Sequence, residues 1–207
     1  MTGPERHEQL ITVGRGLFAE RGFEGTSVEV IAARAGVSKP IVYEHFGGKD
    51  QLYRDVVARE TETLLQGMTA AIANAVGTTG PRGLLQHAAM AFLDYVDSSR
   101  DGFRILVRDS SFGGTTGSFA SLISDIATQV EGVLAEEFRR RGFDPAYAPM
   151  YSQMLVGMVA LTGQWWLDAH SPDKSVVTAH LVNLAWNGLS ALEPTPVLDA
   201  SPTGAPR

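Results

Sequence analysis

Residues 26–46 read TSVEVIAARAGVSKPIVYEHF, two short apolar-periodic runs divided by Gly36. In the first run Val28, Ile31, Ala32 and Ala35 recur at helical spacing. Thr26 and Glu29 have the N-cap and N3 spacing of a capping box, so a helix starting at Thr26 is expected. Gly36 can take the left-handed backbone that a sharp turn needs. The second run opens on Ser38, a good N-cap, with Pro40 in the first turn, where its missing N–H does no harm. Val42 and Phe46, four apart, face inward with Val37, which leaves Lys39, Pro40, Tyr43 and Glu44 projecting outward. Two short, steeply crossed helices about a glycine turn are the outline of a helix-turn-helix, here over residues 27–46.

Working outward, apolar residues keep a helical period almost everywhere, and no stretch shows the sustained alternation of several strands. The fold class is all-α, with about nine helices set off by Gly and Pro punctuation. A helix over roughly 5–21 precedes the motif, carrying Leu10, Ile11, Leu17 and Phe18 on one face. Gly14 and Gly16 in it each cost up to about 1 kcal/mol of helix propensity, so packing must compensate. An amphipathic helix from Lys49 to about Ala75 follows as a connector, then helices near 82–98, 101–109, 116–141, 146–170 and 173–192. The organisation expected is a helix-turn-helix domain over 1–60, a helical domain over 61–192 and a disordered tail over 193–207, which holds Pro194, Pro196, Pro202 and Pro206.

Charge and composition exclude several functions. The 207 residues carry 17 Lys and Arg against 23 Asp and Glu, a formal charge of −6, which argues against a chain that coats nucleic acid or acidic lipid over its whole surface. Residues 1–60 hold 8 basic and 9 acidic side chains, and residues 61–207 hold 9 and 14, so most of the excess lies in the second part. No cysteine is present, which excludes disulfides, thiolate metal sites and cysteine nucleophiles. With a polar N-terminus unlike a signal peptide, a cytoplasmic protein is expected. The five histidines never form an i, i+4 pair, so no metal site is expected. Gly113-Gly114-Thr115-Thr116-Gly117-Ser118 lacks the Gly-Lys-Ser/Thr ending and preceding strand of a phosphate loop, and no nucleophile elbow or motif-placed carboxylate pair is present. No enzymatic activity and no cofactor are expected. Arg139-Arg140-Arg141 before Gly142 reads as the charged end of a helix rather than an anion site.

The run Leu17-Phe18-Ala19-Glu20-Arg21-Gly22-Phe23, then Gly25-Thr26-Ser27, Ile31-Ala32, Ala35-Gly36-Val37-Ser38, Tyr43, His45-Phe46 and Lys49, resembles the DNA-binding domain of the tetracycline-repressor (TetR) family. The resemblance covers about 60 residues, and beyond residue 65 it is architectural. It implies a short third helix in the major groove of operator DNA, with Ser38, Lys39, Pro40, Ile41, Tyr43, Glu44 and His45 on or beside it. It also implies that Thr26 or Ser27, opening the second helix, and Lys49, opening the fourth, hold phosphates. Lys39 can reach guanine O6 or N7, Pro40 and Ile41 a thymine methyl, and Glu44 a cytosine amine. Tyr43 and His45 stand where family members touch the DNA backbone.

Ala146 to Leu167 forms 22 residues without a charge, long enough for a membrane span, but Pro149, Ser152, Gln153, Thr162 and Gln164 interrupt it. A helix buried on two sides, once by its own core and once by a second subunit, explains it better, so no membrane partner is expected. Gly157, Ala160 and Leu161, with Leu181, Leu184, Ala185, Gly188 and Leu192 of the last helix, are the candidate homodimer interface. Phe92, Tyr95, Phe103, Leu106, Phe112, Phe119, Met154, Met158, Trp165 and Trp166 are candidate walls for a small apolar or amphipathic effector. The adjacent tryptophans cannot both face the same way. Arg104, Gln164, Asp168 and Asn183 are candidate polar groups for orienting that ligand. What the resemblance implies is a ligand-responsive regulator, a repressor that binds a palindromic operator as a dimer and is released by its effector. The alternatives are a ligand-independent or activating DNA-binding regulator and, remotely, a helical enzyme.

Overall fold

The computed structural model describes residues 1–109 and 119–196, and these form helices joined by short turns. In chain order they are α1 (Gly3–Arg21), α2 (Val28–Ala35), α3 (Lys39–Phe46), α4 (Lys49–Ala75), α5 (Pro81–Ser98), α6 (Arg100–Asp109), α7 (Phe119–Arg141), α8 (Ala148–Ala169) and α9 (Lys174–Ser190). A single 3₁₀ turn, Pro145–Tyr147, precedes α8, so the helix expected from residue 146 begins two residues later. The all-α expectation holds for every described element.

A reciprocal capping box opens α1: the Thr2 hydroxyl accepts from the Glu5 N–H, and the Glu5 carboxylate accepts from the Thr2 N–H at 2.7 Å. Gly14 is where α1 meets α4; a Cβ there would lie 3.1 Å from Leu52 Cδ2, so the lost helix propensity is exchanged for close helix approach. Nothing in the structure explains Gly16, which has open space where a Cβ would stand.

The expected start of α2 needs correction. Its N-cap is Ser27, whose hydroxyl accepts from the Val30 N–H at 3.4 Å, and Thr26 forms no capping box with Glu29. Thr26 is buried against the end of α1 and donates its hydroxyl to the carbonyls of Gly22 at 2.8 Å and Leu17 at 3.4 Å. The last turn of a helix leaves carbonyls without intrahelical donors, and this side chain supplies one. Gly36 then turns the chain with φ 66 and ψ 35, its N–H reaching Ala32 and Ala33, and Gly47 ends α3 at φ 68.

Leu10, Leu17, Ile31, Val42 and Leu52 are fully buried where α1, α2, α3 and the start of α4 converge, so Val42 and Phe46 do anchor α3 inward. At 27 residues α4 is about 40 Å long by the helical rise. Its first half belongs to this head, and its second half packs along α5. The domain boundary expected near residue 60 therefore falls inside a helix, and the buried cluster continues from the head into Phe92, Leu93, Val96, Phe103 and Leu106 without a break. Helix α8 pairs with α7, α9 with α5, and α6 returns to lie on α1.

Residues 193–196 of the expected tail are placed: with Leu192 they close a cavity of about 290 Å3 over Phe138, Phe143 and Tyr151. Residues 197–207 of that tail, residues 116–118 of the expected seventh helix and Phe112 lie outside the described residues.

Candidate nucleic-acid interface

Ser38, Lys39, Pro40, Tyr43 and Glu44 of the α3 segment are exposed together, with Tyr43 at 52% of its full exposure, while Ile41 and His45 are half-buried at its edges. Ser38 caps α3 by position only, for its side chain makes no capping hydrogen bond. The Lys39 ammonium is paired with Glu29 of α2, across the turn. Hydrogen bonds from Lys39 first, then from its own backbone and Ser27, pull the Glu29 carboxyl down to about 2. His45 lies beside His7 of α1, which stacks on Phe46 with ring centroids 4.4 Å apart.

Two helix N-termini flank this face. Ser27 opens α2 with a half-buried hydroxyl, and Lys49 opens α4 behind Gly48. The Lys49 ammonium donates to the Phe23 carbonyl at 3.0 Å and lies 3.9 Å from the centroid of the Phe23 ring, which holds it at the helix mouth with hydrogen-bond capacity left over. Thr26 does not belong to this set: its hydroxyl points into the protein and is already used, so, contrary to expectation, it is not presented to a phosphate.

In the second domain the structure sorts the expected effector walls three ways. Phe92, Tyr95, Phe103 and Leu106 are buried and interlocked, with Phe103 meeting Phe92 and Tyr95 edge to face. Phe92 also fills the space over Gly163, where a Cβ would overlap its ring. Met154 and Trp165, expected as pocket walls, lie outside rather than within, at 57% and 53% exposure, because a helix apolar all round has no periodicity to separate core from surface. Trp166 is the buried tryptophan; its indole N–H donates to the Pro172 carbonyl at 2.8 Å and its ring stacks on His170. The side chain of Phe119 lies outside the description. Of the polar candidates, Arg104 pairs with Asp101 at 3.7 Å and Asp168 at 4.0 Å on the surface, and Asn183 accepts from Asn187.

The expected interface residues divide as well. Ala160, Leu181 and Ala185 are buried by their own chain, so they support the surface from beneath rather than forming it. Leu161 and Leu184 are about two-thirds exposed, Gly188 is exposed, and Gly157 and Leu192 are half-buried. Met150, Met154, Leu161 and Trp165 share one face of α8, and Val176, His180, Leu184 and Gly188 one face of α9. Between the two faces runs an apolar groove of about 370 Å3, floored by Met158, Val177 and Leu181.

One polar centre escaped the sequence reading. Glu60 continues the α4 stripe of Leu52, Val56 and Val57 toward Leu64, and it is the one charged residue buried among the described residues. Its carboxylate accepts from Tyr95 Oη and Ser99 Oγ, each at 2.9 Å, and pairs with Arg15 of α1 at 3.4 Å. Burial, then the charge of Glu60, pushes the Tyr95 phenol far above its ordinary range. The signal available in the sequence was a glutamate in register with an apolar stripe. Arg139, Arg140 and Arg141 pair with Glu136 and Glu137 one turn back, and Arg141 also donates to the Leu189 carbonyl, in keeping with a helix end rather than an anion site.

Comparison with known proteins gives two family matches. Residues 10–56 match the family of bacterial regulatory proteins described as tetR, and residues 81–188 match the tetracycline repressor-like C-terminal domain. The chain is 31% identical over 189 residues to the HTH-type transcriptional activator FasR of Mycolicibacterium smegmatis, a match covering 90% of this chain and 84% of that protein. Over 106 residues it is 32% identical to the HTH-type transcriptional regulator HbdR of an Aromatoleum species, covering 51% of this chain and 45% of the other. Among solved structures, a TetR-like transcriptional regulator from Rhodococcus sp. RHA1 superposes with a TM-score of 0.74 at 25% identity, covering 90% of this chain and 97% of that one.

Proposed function

This chain belongs to the TetR family of DNA-binding transcriptional regulators, and on that premise we propose that it works as a homodimer on a two-fold symmetric operator and answers to a small effector. The family and the relatives are regulators, not enzymes. No described helix is long and apolar enough to cross a membrane.

The observation that carries the reading is the α3 face. Ser38, Lys39, Pro40, Tyr43 and Glu44 are presented together between the N-termini of α2 and α4, while Val42 and Phe46 hold the helix from behind. Helix N-termini bind phosphates, which sets the register of a helix whose outer residues read base edges. With a head close to neutral, non-specific attraction is modest, so useful affinity comes from placed contacts duplicated by symmetry. In vitro selection of random duplex DNA by the full-length protein tests this. An inverted repeat should emerge, and Tyr43→Ala should weaken binding to it while leaving the melting temperature in place. Enrichment of no motif, or of a single unrepeated one, would refute the dimeric operator reading.

The effector half rests on the match of residues 81–188 to a tetracycline repressor-like domain. An apolar or amphipathic molecule entering among Phe92, Phe103, Leu106 and Met158 would part α5, α6 and α8 and move the connector α4. Release of the selected operator by such molecules supports the effector reading, whichever way the regulator acts. A second reading, activation, is favoured by the relative named as a transcriptional activator. Transcription in vitro from the promoter carrying the operator separates them: output falls with a repressor and rises with an activator. Operator affinity unmoved by any apolar or amphipathic small molecule in a broad panel would leave the ligand-independent regulator standing.

A further inference from the structure

Three elements meet at Glu60. Arg15 reaches it from α1 in the head, Tyr95 from α5, Ser99 from the C-cap of α5, and Gly102 of α6 lies so close that a Cβ there would overlap Oε2. The two hydroxyl donors hold the carboxylate from the second-domain side, and its other oxygen, Oε1, is turned to Arg15. Arg15 is half-buried on α1, away from the residues of the α3 face, and it belongs to no part of the proposed DNA contact. A second contact of the same kind runs from α6: Arg108 Nη1 donates to the Ala19 carbonyl at 2.7 Å, capping the last turn of α1 with a cation. A third, Glu8 to Arg59 at 2.6 Å, ties α1 to α4 on the surface. Of the two ion pairs, Arg15–Glu60 is the one whose carboxylate is buried, so its anion is the less free to vary in angle.

We propose that Glu60 is a positioning residue for operator recognition: clasped by Tyr95 and Ser99, it presents a fixed anion to Arg15, sets the angle at which each head leaves the second domain, and thereby sets the half-site spacing the dimer accepts. The inference rests on the dimeric operator reading above. A head pose defined by apolar packing alone can slide, because dispersion contacts have little directionality, whereas an ion pair with one end fixed by two hydrogen bonds resists rotation. Gly102 is part of the device, since any larger residue would displace the carboxylate from its two donors.

The test uses the full-length protein on three duplexes: the selected operator, the same operator with its half-sites moved by one base pair, and a single half-site. Arg15→Met removes the cation and leaves the buried carboxylate to its two hydroxyl donors, so it should lower the melting temperature while half-site binding by the folded protein stays close to that of the wild type. It should reduce the preference for the native spacing about three- to tenfold, in the lower part of the range for directly coupled residues. Arg15→Lys should restore most of the preference. Glu60→Gln, which keeps the shape and an acceptor for Tyr95, should lose the preference as Arg15→Met does. The proposal is overturned if Arg15→Met keeps the wild-type spacing preference, or if it weakens half-site and full-operator binding in equal proportion, as a merely structural residue would. If the wild-type protein selects no two-half-site operator, the dimeric reading fails and this inference falls with it; a wild-type operator with an indifferent Arg15→Met variant sinks the inference alone.

Discussion

The hydroxyls of Thr26 and Ser27 lie one residue apart and act on different partners. Thr26 donates inward to Gly22 and Leu17, and Ser27 accepts from the Val30 N–H at the mouth of α2. Thr26→Val keeps the volume and removes the donor, so it should cost about 1 kcal/mol of stability, the net worth of a hydrogen bond, and leave operator affinity of the folded protein unchanged. Ser27→Ala should also cost about 1 kcal/mol, as for a lost N-cap, but it should weaken operator binding as well, because its hydroxyl stands at the proposed phosphate site. Denaturant melts and operator titration of the two variants check this, and equal losses of operator affinity would refute the assignment. Both residues are good caps, and Glu29 has the right spacing from Thr26, so nothing local separates the two. What decides is tertiary: the carbonyls at the end of α1 are in reach of Thr26, and Glu29 turns to Lys39 on the next helix. Residues on the α3 face were legible because their period is set by Val42 and Phe46, two anchors a single turn apart.

Among the elements, the junction of α5 with the start of α9 is electrostatic. The Lys174 ammonium lies 2.8 Å from Asp94 and 3.1 Å from Asp97, and Asp97 also faces Arg100 at 3.5 Å and His170 at 3.4 Å. The hydrogen bond from Lys174 holds the Asp97 carboxyl below the usual carboxylate range, and the hydrogen bond to Asp94, then that to Asp97, raises Lys174. The depressed Asp97 contributes stability above the ordinary carboxylate range and loses it as pH falls through its lowered value. The raised Lys174 contributes below the ordinary lysine range, near 10.4, and loses it as pH rises through its raised value. Lys174→Met should therefore lower the melting temperature most between those limits, with the two curves converging in acid and at strongly alkaline pH. The groups are substantially exposed, so the difference should stay within about 1 kcal/mol, and curves that run parallel across the whole range would exclude the clasp. Helix limits at this scale were legible from Gly and Pro, whose effect on the backbone is local. The direction of Trp165 and Trp166 was not: adjacent residues on an apolar helix differ by about 100°, and only the Pro172 carbonyl and the His170 ring select Trp166 for the interior.

At the scale of the molecule, the uncharged run of α8 was readable as a helix, but which of its residues face the core and which the proposed interface was not, since both demand apolar atoms. The structure divides them: Ala160 and Trp166 face the core, and Leu161 and Trp165 remain outside with Leu184 of α9. An apolar stripe shared by two helices on a chain of net charge −6 is a surface that calls for cover, and a second copy presents the same stripe by symmetry. In a two-fold interface each substitution appears twice, so Leu161→Glu places two carboxylates against one apolar seam and adds like-charge repulsion to the desolvation of each. Leu184→Glu does the same from α9. Since both side chains are about two-thirds exposed in the single chain, neither change disturbs its core, and circular dichroism should remain that of a folded helical protein. Sedimentation should show a monomer. Operator affinity should then fall to that of one head, a loss of about 10² to 10⁴, because the second half-site no longer benefits from the effective concentration that the dimer provides. Tyr43→Ala should do the reverse, remaining a dimer while losing affinity at every half-site. A Leu161→Glu protein that still sediments as a dimer would place the interface elsewhere, and a monomer that keeps full operator affinity would show that the two heads are not coupled through α8 and α9.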